Sequence, residues 1–383
     1  MQEGNELELR LTGRIAAEGR DAWVPEAGTR KKVRGIPFRD FMAACLYDER
    51  LGYYRSGRVR IGKEGDFYTS SGIGTVMGDV LAAYMARDAF AAGVPRLVYE
   101  WGAGTGRLGL QMLAKWSAMP EMERAEPVRY RMVDANPGHR QAARRAAAEA
   151  GFGEQVRFLA PELAEEELSA AGPCVVVANE LLDAFPVRRF KRLNGVLREI
   201  GTFYDEAEGR FRDCLLEHSE YADGFASRAH GVRLAEGQEA EWSPDAEAWL
   251  DELCRMLPGG RIILIDYGDC AGELYAPHRM RGTLLCYRNH TAHDDPYVHI
   301  GEQDMTAHVN FSSVRKTAEA AGWRVASYST QKRFLVDNGV LQELRDHRDP
   351  NPFGEAARRN RAIRQLLLSD GMSESFKVMV LAK

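Results

Sequence analysis

The 383-residue chain predicts an α/β fold with an open, mostly parallel sheet, and three observations predict it. Strand-like runs recur at 97–99, 129–133, 155–159, 173–178, 261–265 and 323–331, with helical patterns between them. Such alternation is the pattern of parallel strands joined by covering helices. The first run leads into Gly102-Ala-Gly-Thr-Gly106 and a helix over 107–115, a strand–turn–helix cradle. A last run at 376–381 comes after a helical stretch over 334–369 and can return antiparallel beside the sixth. The sum is a Rossmann-like, seven-stranded sheet with an antiparallel last strand.

The first strand is short and apolar, as a buried parallel strand is. The turn after this strand fixes the class of ligand. A dinucleotide fingerprint, G-x-G-x-x-G, needs glycine where this chain has Arg107. A phosphate-binding loop needs G-K-[ST], and no lysine follows these glycines. The motif present is E-x-G-x-G-x-G, acid first, over 100–106. It resembles the first motif of class I S-adenosylmethionine-dependent methyltransferases. That cofactor carries an ammonium, a carboxylate and a sulfonium instead of phosphate. Glu100 can hold the ammonium side directly or through water. Gly102, Gly104 and Gly106 let the backbone close on the ligand, and free N–H groups can meet its carboxylate. A tight turn with no ligand is the alternative.

Composition narrows the rest. With 45% hydrophobic residues the chain can bury a large core. A net charge of −5 gives no general attraction to nucleic acid or anionic lipid. Six cysteines without a C-x-x-C pair are poor zinc spacing and suit a reducing cytoplasm. No run approaches the ~18 apolar residues of a membrane span. His299 and His308 lack a second pair with ligand spacing, so no metal is expected.

Taken in order, residues 1–35 read as an irregular or partly helical lead. Its basic cluster, Arg30, Lys31, Lys32 and Arg34, reads as a solvated face, because no aromatic interleaving accompanies it. Helices are expected over 38–47 and 75–91, with a polar glycine-rich loop at 62–71 between them. That loop is a connector or a lid over the cofactor. After the cradle, the second strand ends at Asp134, where an acid can accept from both ribose hydroxyls. A helix over 138–150, the third strand and a segment at 161–163 near the adenine edge come next.

The fourth strand ends in Asn179-Glu-Leu-Leu-Asp-Ala-Phe-Pro186. Ligands of open parallel sheets bind at carboxyl ends of strands, so Glu180 and Asp183 are where acceptor chemistry is expected. Three residues apart, they would share one side of a helical turn. Antiparallel strands are expected over 187–199 and 201–217, with turns at Asn194-Gly195 and Glu208-Gly209. Arg188, Arg189, Lys191 and Arg192 read as the charges of a solvated edge strand. A helix spans 243–257, and 282–290 is expected to extend from the fifth strand.

Seven stretches then fall in one order: FMAACLYDERLGYY, GKEGDFYTS, YEWGAGTG, NELLDAFPV, ILIDYGD, DMTAHVNF and SESFKVMVLAK. The set resembles the MidA family of class I methyltransferases over roughly 36–383. Mitochondrial members of that family are described as protein-arginine methyltransferases needed for respiratory complex I assembly. The resemblance implies that Glu100, the three glycines and Asp134 bind S-adenosyl-L-methionine. It implies that Asp66, Thr69 and Ser70 close over the cofactor, and that Glu180 and Asp183 act on a protein acceptor, arginine preferred. Ala103 and Thr105 stand where the family has proline and arginine, and Asn310 where an acid is common. The implied organisation is an N-terminal helical extension with its lid loop at 1–95 and a first part of the core at 96–186. An inserted β-rich module occupies 187–245, and a second part of the core occupies 246–383. Two other readings are a cofactor-binding assembly factor without catalysis and an NAD-dependent oxidoreductase.

Overall fold

A computed structural model describes all residues except 1–2, 27–28, 56, 58–72, 124–125, 346–350, 352–353 and 369–371. The chain divides into two compact units. One contains residues 57–181, 251–267 and 318–383; the other contains 1–56, 182–250 and 268–317.

The first unit holds the expected sheet. Its strands are β1 (Leu97–Trp101), β2 (Arg129–Val133), β3 (Val156–Leu159), β4 (Cys174–Asn179), β5 (Gly260–Asp269), β6 (Arg324–Thr330) and β7 (Phe376–Ala382). They run in the order β6-β7-β5-β4-β1-β2-β3. Pairs from β3 through β5 are parallel, and β7 is antiparallel to both neighbours, with Arg261 and Arg324 each opposite Ala382. Every residue of β1 and β7 is buried, as in strands covered on both faces. Lys377 is tolerated there because its Nζ donates to the Glu374 carbonyl at 2.6 Å. Helices α1 (Arg107–Ser117), α2 (Pro137–Glu149) and α3 (Pro161–Ser169) come after the first three strands.

The helix Val76–Met85 belongs to this unit and lies against α1. Gly78 makes the close approach: a Cβ there would fall 2.4 Å from the Gln111 Cβ. Gln111 donates to the Gly74 carbonyl, and Trp116 to the Ala82 carbonyl. The expected N-terminal block at 1–95 is therefore divided between the two units.

In the second unit, the lead over 1–35 is more ordered than its polarity suggests. Helix Glu3–Glu18 turns Leu7, Leu11 and Ile15 inward onto Phe38, Phe41 and Leu46 of helix Phe38–Tyr47. Strands Arg20–Glu26 and Thr29–Pro37 pair antiparallel and join the expected antiparallel module. The basic cluster lies on Thr29–Pro37, between Arg20–Glu26 and Val196–Asp205 in the sheet order, and its four side chains are exposed; Arg30 stacks 4.2 Å over the Trp23 ring.

Two further expectations change. Strand Arg188–Leu193 is not an edge: it lies between Glu239–Trp242 and Val196–Asp205. Arg188 and Arg189 are buried, Arg188 paired with the buried Glu199 at 2.5 Å and Arg189 with the exposed Asp213 at 2.7 Å. Residues 282–290 do not extend the main sheet. Leu285–Arg288 pairs with Thr291–His293 and Asp304–Thr306 in a small sheet of its own. Among the described residues, no helix is long and apolar enough to cross a membrane.

Candidate functional site

The glycine turn sits at the carboxyl end of β1. Gly102, Gly104 and Gly106 have φ of 71°, 55° and 79°, a left-handed alternation that side chains resist. Packing adds a reason at Gly106, where a Cβ would fall 2.7 Å from Met132 Sδ. The turn's amides are largely committed within the fold. Ala103 donates to the Val133 carbonyl, Gly106 to the Ala103 carbonyl, and Gly104 to Asp134 Oδ2 at 2.8 Å. The free N–H groups expected for a ligand carboxylate are thus not at these three positions. What they offer is backbone without side chains.

Asp134 ties the second strand end to that turn. Its Oδ1 accepts from the Asn136 amide at 2.8 Å, with His139 Nδ1 3.3 Å away. Asn136 caps α2 by accepting from Gly138 and His139, and Pro137 takes the first helical position. Asn136 and His139 were not among the sequence candidates. The Asn-Pro pair just before a helix was the available signal. A carboxylate oxygen has further acceptor capacity, so these bonds leave Asp134 able to take ribose hydroxyls.

Glu100 points elsewhere. It is 3% exposed, accepts from the Tyr130 hydroxyl at 3.0 Å, and is hydrogen-bonded to the Gly109 amide of α1. These partners place its carboxyl between the sheet and α1. Burial lifts its pKa to about 8, against the lowering pull of the two hydrogen bonds. At neutral pH it is mostly protonated, and a neutral acid has no charge to offer an ammonium. Gly109 is required there, since a Cβ would fall 2.5 Å from Glu100 Oε2. Tyr130 and Gly109 were likewise not legible as site residues in the sequence.

Glu180 closes β4 with φ of 53°, strained for a residue with a side chain. Two bonds hold the strand end: the Glu180 amide donates to the Ile265 carbonyl at 2.8 Å, and Leu181 to Asp266 Oδ2 at 3.1 Å. Asn179 Nδ2 donates to Glu180 Oε1 at 3.0 Å. A Cβ on Gly102 would lie 3.0 Å from the Leu181 side chain, so the loops after β1 and β4 meet. These neighbouring strands lead to opposite directions of strand order, the usual ligand position in open α/β sheets.

Asp183 belongs to the other compact unit and is 5% exposed. It lies in the short 3-10 turn Leu182–Ala184, and its carbonyl accepts from Ala307. Because Glu180 is left-handed, the two acids do not share the helical turn expected from their spacing. Asp66, Thr69 and Ser70 lie outside the described residues. Asn310, the departure from the family's acid, caps helix Phe311–Ala320 by accepting from Ser312 and Ser313, and its amide donates to Tyr275. Among the described residues, no group of three or more His, Cys, Asp or Glu could hold a metal ion.

A family model described as "Putative S-adenosyl-L-methionine-dependent methyltransferase" matches residues 72–329. The chain belongs to this MidA methyltransferase family. A crystal structure from Burkholderia thailandensis, described as a "likely methyl transferase" bound to S-adenosyl-homocysteine, is similar over 100% of this chain and 92% of that one. Its TM-score is 0.83 at 32% identity. The mitochondrial protein arginine methyltransferase NDUFAF7 of Mus musculus is 24% identical over 82% of this chain and 73% of its own length. The Drosophila melanogaster homologue is 25% identical over 75% and 67%. The family's cofactor is S-adenosyl-L-methionine, and this chain is a methyltransferase that uses it. The residues present fit it: a side-chain-free turn, left-handed at alternate positions, with Asp134 beside it at the next strand end.

Proposed function

We propose that this methyltransferase modifies a protein side chain, with arginine as the preferred acceptor. The observation that carries the reading is the run of mitochondrial relatives named protein arginine methyltransferases, which match about four fifths of the chain. When bound, S-adenosyl-L-methionine supplies an electrophilic methyl on a sulfonium. Gly102, Gly104 and Gly106 give it room, and Asp134 is the proposed ribose acceptor. Asp66, Thr69 and Ser70 are proposed to cover it, and a role for Glu100 toward its ammonium requires the carboxylate form. Glu180 and Asp183 are the proposed carboxylates for the acceptor. A guanidinium is charged at neutral pH and a weak nucleophile; carboxylates orient it and draw its charge to the nitrogens they bind. The left-handed Glu180 supports this role, since strained backbone concentrates at functional positions. The protein is further assigned to the cytoplasm, a reading supported by its six cysteines, all free thiols.

The test is transfer of labelled methyl groups to lysate from a strain lacking the protein, with mass spectrometry of the labelled bands. Methylarginine in a band that depends on active enzyme is expected. Label found only on small molecules or on another residue type refutes the arginine reading. Glu180→Gln and Asp183→Asn should each keep cofactor affinity within a few-fold and slow transfer by about 10²-fold.

A further inference from the structure

Three of the seven stretches singled out in the sequence meet in the second unit, around the turn Leu182–Ala184. The turn is three residues long, and its Asp183 and Ala184 are 5% and 7% exposed. So short a turn satisfies few of its own carbonyls, and buried carbonyls need donors. Here the donors come from outside. The Ala307 amide donates to the Asp183 carbonyl at 3.0 Å, and the Tyr47 hydroxyl to the Ala184 carbonyl at 2.9 Å. Two more bonds fix the chain as it leaves the turn. Ser243 Oγ donates to the Pro186 carbonyl at 3.0 Å, and the Val187 amide to Met42 Sδ at 3.4 Å.

Most of these partners belong to two stretches that cofactor binding leaves unexplained. FMAACLYDERLGYY supplies Met42, Tyr47 and Tyr54, and DMTAHVNF supplies Asp304 and Ala307. The two stretches are bonded to each other. The Tyr54 hydroxyl donates to Asp304 Oδ1 at 2.6 Å, and the same oxygen accepts from the Met305 amide at 2.8 Å. This bond holds the strand Asp304–Thr306, which Ala307 directly follows. Tyr54 also stacks on Tyr47, with ring centroids 5.5 Å apart and planes at 29°. One pair of stacked tyrosines thus reaches two successive carbonyls of the turn. Tyr47 bonds Ala184 directly, and Tyr54 acts on Asp183 through Asp304 and Ala307. Tyr287 lies opposite Asp304 in the small sheet. Its hydroxyl is pushed above the ordinary pKa by burial and then by the charges of Asp183 and Asp304, so the Asp183 carboxyl lies within electrostatic reach of it.

We propose that Tyr47 and Tyr54 are positioning residues for the Asp183 carboxylate. They act through the backbone of its turn, Tyr47 by bonding Ala184 and Tyr54 by fixing the strand that leads to Ala307. Their contribution to methyl transfer rests on the proposed function, in which Asp183 orients the acceptor.

Tyr47→Phe tests this, because it keeps the ring and its stack on Tyr54 and removes the donor to Ala184. Tyr54→Phe likewise removes the donor to Asp304. The first readout needs no acceptor: it is hydrogen exchange at the Ala307 amide, read by NMR of the full chain. Exchange there should become about tenfold faster in each variant, since a buried group without its partner loosens the turn locally. The second readout is the initial rate of labelled methyl transfer into lysate from a strain lacking the protein. Each variant should slow transfer about tenfold, with S-adenosyl-homocysteine affinity unchanged. In an Asp183→Asn background the same substitutions should cost less than about twofold more, because residues that act through one carboxylate are not additive. Losses that multiply in the double variants would make the tyrosines merely structural and overturn the assignment. Native exchange at Ala307 or a native transfer rate in Tyr47→Phe overturns it as well. If Tyr54→Phe, which removes a partner of a buried carboxylate, folds poorly, Tyr47→Phe decides. A native transfer rate in Asp183→Asn alone would sink the acceptor role of Asp183, while faster exchange at Ala307 in Tyr47→Phe would keep the clamp on its turn.

Discussion

Replacing Glu100 by glutamine removes a proton-binding group from the core and should change how stability depends on pH. The carboxyl has an ordinary pKa of 4.5 and about 8 in the fold, raised by burial. Above pH 4.5 the unfolded chain gives up this proton, and the folded chain keeps it until about pH 8. The folded state therefore binds more protons across that window, and stability falls as pH rises through it. At 1.36 kcal/mol per unit, the loss between pH 5 and pH 8 comes to roughly 3–4 kcal/mol. Glutamine keeps an acceptor oxygen for Tyr130 and Gly109 and does not titrate. Urea unfolding of both proteins at pH 5 and pH 8 isolates the effect, because other titrating groups cancel between them. Trp116, its ring 6.4 Å from that of Tyr130, is a local fluorescence probe. The variant should gain roughly 3–4 kcal/mol relative to the native protein on going from pH 5 to pH 8. An equal difference at both pH values would mean that Glu100 is ionised in the fold and keeps access to water. On the same samples, a large loss of S-adenosyl-homocysteine affinity in the variant would show that Glu100 serves the cofactor as well as the core.

Gly104→Val should abolish cofactor binding in a protein that still folds, since valine resists φ of 55° and fills the turn; calorimetry showing native affinity would refute the placement. Asp134→Ala should weaken cofactor binding by about 1.5–3 kcal/mol. The loss should be much smaller for an analogue lacking both ribose hydroxyls, and equal losses would assign Asp134 to holding the Gly104 amide alone. Glu199→Ala should destabilise the second unit by about 3–5 kcal/mol, because it strands the buried Arg188; a melting curve close to the native one would count against a desolvated pair.

Much of the first unit was legible in the sequence because its signals are local. A buried strand reads as an apolar run wherever it packs, as 174–179 does, and left-handed turn positions read as glycine at 102, 104 and 106. The second unit was less legible. Arg188 and Arg189 look like surface residues in sequence, and only their long-range partners Glu199, Asp213 and Glu239 make their burial possible. The strands Arg20–Glu26 and Thr29–Pro37 were hidden for the same reason: they pair with residues near 215 and 201, far along the chain.

The candidate site divides in the same way. By itself the sequence pointed to the family and its cofactor, because seven stretches fall in one order, and it determined the glycine turn, because E-x-G-x-G-x-G states a backbone requirement in adjacent residues. Tertiary structure alone decided what each acid does with its charge. Glu100 is taken by Tyr130 and Gly109, and Asp134 is bonded to the turn. A carboxylate's protonation and partners depend on burial and on groups brought from 30 or more positions away, which no local pattern encodes.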